Sequence, residues 1–131
     1  MAKKTDRFIV RPKPVGEIVH HDVSRAKQQL GATPYIYLEN SMVPEADLVV
    51  HVTEVKQVPP DFKSYVSPHK HEVSSFHGIV GELTVEVLLE DETHEVTGPA
   101  SIFIPPGMIH SIRPLRGKGM MIIILRRGHY Q

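Results

Sequence analysis

The sequence predicts an all-β domain, a sandwich or barrel of short strands with one short helix near its N-terminus. Three observations lead there. From Thr33 onward, short runs of strand-like residues are separated at regular intervals by Gly, Pro, Asn and Asp, the one-dimensional signature of many short strands joined by tight turns. Within Glu82–Glu90, Leu83, Val85, Val87 and Leu89 alternate with their neighbours, the period-two pattern of a half-buried strand. At 131 residues the chain is long enough to bury one core without staples.

Taken in order, residues 1–14 are charged and punctuated by Pro12 and Pro14. They read as an extended arm in which Phe8-Ile9-Val10 is an edge strand, and residues 15–131 read as a single domain. Residues 22–30 make the one helix: Asp22 or Ser24 suits its start and Gly31 its C-terminal turn. His20 and His21 precede it as solvated residues. Tyr35–Glu39 and Leu48–Lys56 are the next strands. In the second, Leu48, Val50, Val52 and Glu54 share one face and Val49, His51, Thr53 and Val55 the other. A one-residue slip exchanges the faces, so either His51 or Glu54 points toward the interior. Phe76–Gly81 and Glu82–Glu90 follow, then a hairpin turn at Asp91-Glu92-Thr93, with His94–Thr97, Ala100–Ile104, Ile109–Arg113 and Gly119–Arg127 completing the sheet. Tyr35, Tyr37, Tyr65 and Phe76 read as core or cavity lining.

Composition narrows the function. There is no cysteine, so disulfides and thiolate metal sites are excluded. Lys plus Arg number 15, as do Asp plus Glu, and such a balance gives no basic face for nucleic acid. The basic opening Met1–Arg7 is followed by no apolar signal core, and the apolar run Met120–Leu125 is too short to span a bilayer. A soluble cytoplasmic protein is expected.

The chemistry concentrates in Pro68-His69-Lys70-His71, answered downstream by Pro105-Pro106-Gly107-Met108-Ile109-His110. Alternation along a strand puts His69 and His71 side by side on one face, with Lys70 on the other. Two converging imidazoles are half of a metal site, and His110 from a neighbouring strand supplies a third.

These two segments resemble the paired motifs of the cupins, the double-stranded β-helix or jelly-roll family. The first motif, over about residues 63–82, is matched by His69, His71 and Gly81; the second, about 98–114, by Gly98, Pro105, Gly107 and His110. Lys63 replaces the leading glycine of the first motif and Pro114 the final asparagine of the second. Ser74 or Ser75 stands where the family has its acidic ligand. The resemblance implies a divalent transition metal held by His69, His71 and His110. Some cupins use four histidines, which makes His77 a fourth ligand if Ser75, two residues before it, points inward; with Ser74 inward, His77 turns out. On a continuing strand Glu72 points away from the metal face. Imidazole ligands suit iron, zinc, nickel and copper, with manganese added by family analogy.

A centre of neutral imidazoles leaves the metal's charge uncompensated, so it is a strong Lewis acid that attracts small anionic ligands. The reading is therefore a metal-dependent enzyme acting on a small anionic metabolite; the resemblance implies chemistry of dioxygenase, isomerase or lyase type, with His77, Glu54 and His51 as the candidates for proton transfer. The alternative is a non-catalytic small-molecule-binding or sensor cupin. Arg113, three residues past His110, takes the opposite face; Arg116, Arg126 and Arg127 are solvated or at a subunit contact. By analogy with small cupins a homodimer is expected, through the N-terminal arm or the Met120–Leu125 strand.

Overall fold

The computed structural model describes residues 3–15, 34–60, 67–128 and 130. The helix read over residues 22–30, together with Tyr65, lies outside them. The described residues form nine strands: β1 (Lys13–Pro14), β2 (Tyr35–Leu38), β3 (Val49–Val55), β4 (Ser75–Gly81), β5 (Thr84–Leu89), β6 (Glu92–Thr97), β7 (Ala100–Ile104), β8 (His110–Arg116) and β9 (Gly119–Leu125). They pair antiparallel in two sheets, ordered β1-β2-β3-β9-β4-β7 and β6-β5-β8.

The two sheets close on each other through their inner faces. Val55, Ile79, Ile102, Ile104 and Met121 of the large sheet and Leu83, Val85, Val87 and Ile112 of the small-sheet side form one buried cluster. Complete burial of a Val or Leu side chain stabilises by about 1.5–3 kcal/mol, so this cluster supplies the main cohesion of the sandwich. The alternation read in Glu82–Glu90 is the inward face of β5 and its approach: Leu83, Val85 and Val87 are buried. β8 is an edge strand, which is why Pro114, with no N–H to donate, is accommodated there.

Register decides the faces of the large sheet. His51 of β3 and His77 of β4 both lie opposite Ile123 of β9, so all three side chains point to one side of the sheet. One step along, Val49, Leu125 and Ser75 form the next inward row, all buried. The inward residues of β3 are therefore Val49, His51, Thr53 and Val55, and Ser75 rather than Ser74 faces in.

Two local expectations are corrected. Phe8 belongs to a 3-10 turn over Asp6–Phe8, and the arm's strand is Lys13–Pro14, paired with Ile36 and Tyr35. An edge position suits Pro14, whereas Phe8 and Ile9 stay exposed. The hairpin turn falls one residue earlier than read: Leu89 pairs with Glu92, leaving Glu90-Asp91 as the loop, with Glu90 at φ 56° as a two-residue hairpin turn requires. No helix among the described residues is long and apolar enough to cross a membrane.

Candidate metal centre

His69 is brought to His110 by the backbone. The two residues form an isolated antiparallel bridge, His69 N–H donating to His110 C=O at 3.0 Å and His110 N–H to His69 C=O at 2.8 Å. The turn between β7 and β8 sets this up. Gly107 adopts φ +80°, the left-handed region in which a side chain is disfavoured. Its N–H donates to the carbonyl of His71 at 2.8 Å. The Pro-Pro-Gly turn of one segment is thus fastened to the His-x-His of the other.

The result is a buried triangle. One ring nitrogen from each of His69, His71 and His110 lies within 4.8 Å of the others. Ring centroids are 4.8 Å apart for His69 and His71, 4.6 Å for His69 and His110, and 5.3 Å for His71 and His110. All three residues are buried. Among the described His, Asp and Glu residues this is the group whose ligand atoms converge.

Tautomers are set by local carbonyls. His69 Nδ1 stands 2.6 Å from the carbonyl oxygen of Ser67, and His110 Nδ1 3.0 Å from that of Met108. A carbonyl only accepts, so both Nδ1 atoms carry the proton and both Nε2 atoms present a lone pair. Outer hydrogen bonds of this kind orient metal-binding imidazoles. Burial pushes the His110 pKa below its ordinary 6.5, partly opposed by the bond to Met108, so this imidazole is neutral at pH 7. Its Nε2 is buried without a hydrogen-bond partner among the described residues. Leaving a buried acceptor unsatisfied costs about 1–3 kcal/mol, and a cation is the partner such a lone pair fits. The residues present therefore suit a divalent transition metal.

The remaining candidates divide by register. His77 is buried with its ring 5.9 Å from that of His110, beside the triangle and outside its converged atoms. His51 is buried on the same inward row. Glu54 is exposed on the outer face of β3, 3.6 Å from Lys56 Nζ, so of the proposed proton-transfer groups it alone faces away from the site. Glu72 is exposed and pairs with Arg127 at 3.6 Å. Arg113 faces away from the histidines as expected and binds Glu86 at 2.8 Å, while Arg116 binds Glu95 at 3.1 Å. Ser75, at the family's acidic position, is buried and its Oγ has no hydrogen-bond partner among the described residues.

Of the aromatic residues read as core or cavity lining, the three that are described do not face the site. Tyr35 and Tyr37 are exposed, and Phe76 lies on the outer face of β4. Tyr130 does reach it. Its ring stacks on His51 at 5.2 Å and 17°, meets His71 edge-on at 5.2 Å, and places its hydroxyl 3.3 Å from His69 Nε2. No spacing or motif marks a lone tyrosine beyond the last strand, so sequence reasoning had no signal for it.

No family model and no curated protein matches the sequence. Solved structures do match. KdgF from a Halomonas species is 19% identical, with a TM-score of 0.54 over 74% of this chain and 80% of its own. Oxalate decarboxylase of Bacillus subtilis, known for Mn(II) centres, is 14% identical, with a TM-score of 0.60 over 93% of this chain. The chain spans only about 30% of that enzyme's length. The conserved SPY1581 protein of unknown function from Streptococcus pyogenes is 14% identical, with a TM-score of 0.57 over 92% of this chain and 97% of its own.

Proposed function

We propose that this chain, which has the cupin fold, is a metal-dependent enzyme acting on a small anionic metabolite. The observation that carries the reading is the buried convergence of His69, His71 and His110, with the Nε2 lone pair of His110 unsatisfied among the described residues. These three residues would hold the metal, and iron, zinc, nickel, manganese and copper are the ions compatible with the donor set and the family. A metal held there supplies Lewis acidity to a bound oxygen ligand. The similarity to oxalate decarboxylase, whose substrate is a small dianion, supports an anionic substrate of that size. His77 lies against His110 and serves as a further ligand or holds that imidazole in place. His51 and His77 are the interior groups able to accept or return a proton, in chemistry of the dioxygenase, isomerase or lyase type. A homodimer belongs to the same reading. The outer face of the large sheet presents Phe76, Ile122 and Ile124 beside Phe103, which is 66% exposed, and a second copy packed there would cover it.

The test is calorimetric titration of metal-loaded protein and of His110→Ala with oxalate and related small carboxylates. Binding that requires both metal and His110 supports the reading. Equal binding by chelator-treated protein points to the non-catalytic binding module instead.

A further inference from the structure

Three imidazoles do not complete a coordination sphere: a tetrahedral ion needs a fourth donor, and higher coordination needs more. Among the described residues no carboxylate joins the three histidines: Ser75 occupies the inward position, Glu72 is exposed and Glu54 lies outside. Tyr130 brings an oxygen donor to the ligand side of the triangle. Its hydroxyl is 3.3 Å from Nε2 of His69, the nitrogen that presents a lone pair because Nδ1 is bonded to the Ser67 carbonyl. Two donor atoms each about 2.0–2.1 Å from one tetrahedral ion stand roughly 3.3–3.4 Å apart. The separation is thus the one that two ligands of a single ion show.

The tyrosine is also held in place. Its ring is stacked nearly parallel on His51 and set edge-on against His71. The segment leading to it is tied down by Arg126 N–H donating to Ser74 C=O at 3.3 Å and by Asn40 N–H donating to Gly128 C=O at 2.7 Å. A rigid aromatic platform of this kind limits the positions open to the hydroxyl.

We infer that Tyr130 is the fourth protein ligand of the metal centre, its phenol oxygen taking the part a carboxylate would have at the position of Ser75, with His77 holding the His110 imidazole in place, and that His51 is a positioning residue for its ring. The inference rests on the three-histidine reading. On coordinating, the phenol loses its proton to water and binds as the phenolate, so the set carries one negative charge against the ion's two positive ones.

The full-length protein is titrated with Cu(II), kept below one equivalent, and followed by two signals. Nitrogen hyperfine coupling in the electron paramagnetic resonance spectrum reports the imidazoles. A phenolate-to-copper charge-transfer absorption reports Tyr130. The wild type is expected to show both. Tyr130→Phe, which keeps the ring and its stacking, is expected to keep the nitrogen coupling, lose the charge-transfer band and bind Cu(II) at least about tenfold more weakly, the lower end of what losing even an outer partner brings. A wild type with nitrogen coupling and no charge-transfer band, or a band unchanged in Tyr130→Phe, overturns the tyrosine ligand and leaves the three histidines standing. Absence of nitrogen coupling in the wild type overturns the histidine site and this inference with it. His51→Ala is expected to weaken the band and His51→Phe to restore it; an undiminished band in His51→Ala removes the positioning role.

Discussion

At the residue scale, His110 links the two histidine segments and the interior of the site. Its backbone pairs with His69, its Nδ1 is bonded to Met108, and its Nε2 is a buried lone pair without a partner among the described residues. His110→Ala should therefore lose the metal and keep the fold. The cavity left behind is destabilising, but removal of an unsatisfied buried acceptor offsets it by about 1–3 kcal/mol; metal content and a thermal melt measure the two effects separately. The Arg113–Glu86 pair behaves differently. The hydrogen bond from Arg113 holds the Glu86 carboxyl below its ordinary 4.5, so its contribution is complete above that value and is lost as pH falls through the lowered one. Both side chains are about a third exposed, which limits the pair to about 1 kcal/mol or less. Urea midpoints at pH 7 and pH 3 should differ less for Arg113→Met than for the wild type. The motif histidines were legible because a fixed spacing on a strand has a geometric meaning. The choice between His51 and Glu54 was not, because alternation alone does not say which face is inward, and only pairing with β9 decides it.

At the scale of elements, each of these histidines stands two residues before another buried position of the same strand: His77 before Ile79 on β4, His110 before Ile112 on β8, and His51 before Thr53 on β3. Polar site and apolar core thus share strands, and strand spacing carries directly into site geometry. Gly119 of β9 faces Gly81 of β4, and a Cβ at Gly119 would collide with the carbonyl oxygen of Val80. Gly119→Ala should lower stability by about 1–3 kcal/mol, as overpacking does, in a denaturant titration. Gly107→Ala meets no neighbouring atom and is penalised only by its positive φ, at about 1–2 kcal/mol. Because Gly107 N–H holds His71 C=O, this variant should also weaken metal binding, whereas Gly119→Ala should leave the affinity of the folded fraction unchanged. Strand positions were readable from alternation and turn residues to within one to three residues, the largest miss being the end of β8 at Arg116 rather than Arg113. The arm was misread because apolarity favoured Phe8–Val10, while the available edge beside β2 accepts Lys13–Pro14.

For the whole molecule, a sandwich or barrel of short strands was legible in the sequence, but not the two sheets or the neighbours within them. β9 lies between β3 and β4, strands far apart in the chain, and no local pattern encodes that order. Its consequence is functional, since β9 aligns His51 with His77 through Ile123. It also exposes the apolar outer face that we assign to a second copy. Phe103→Glu should therefore shift the mass measured by light scattering from dimer to monomer while leaving the metal content intact; a wild type already monomeric at micromolar concentration would contradict the dimer alone. Elemental analysis of protein purified without chelator, compared with His69→Ala and His110→Ala, tests the metal centre most directly. The expected result is one equivalent of a single transition metal in the wild type and near none in either variant; full occupancy in the variants, or none in the wild type after reconstitution with several divalent ions, would contradict the account.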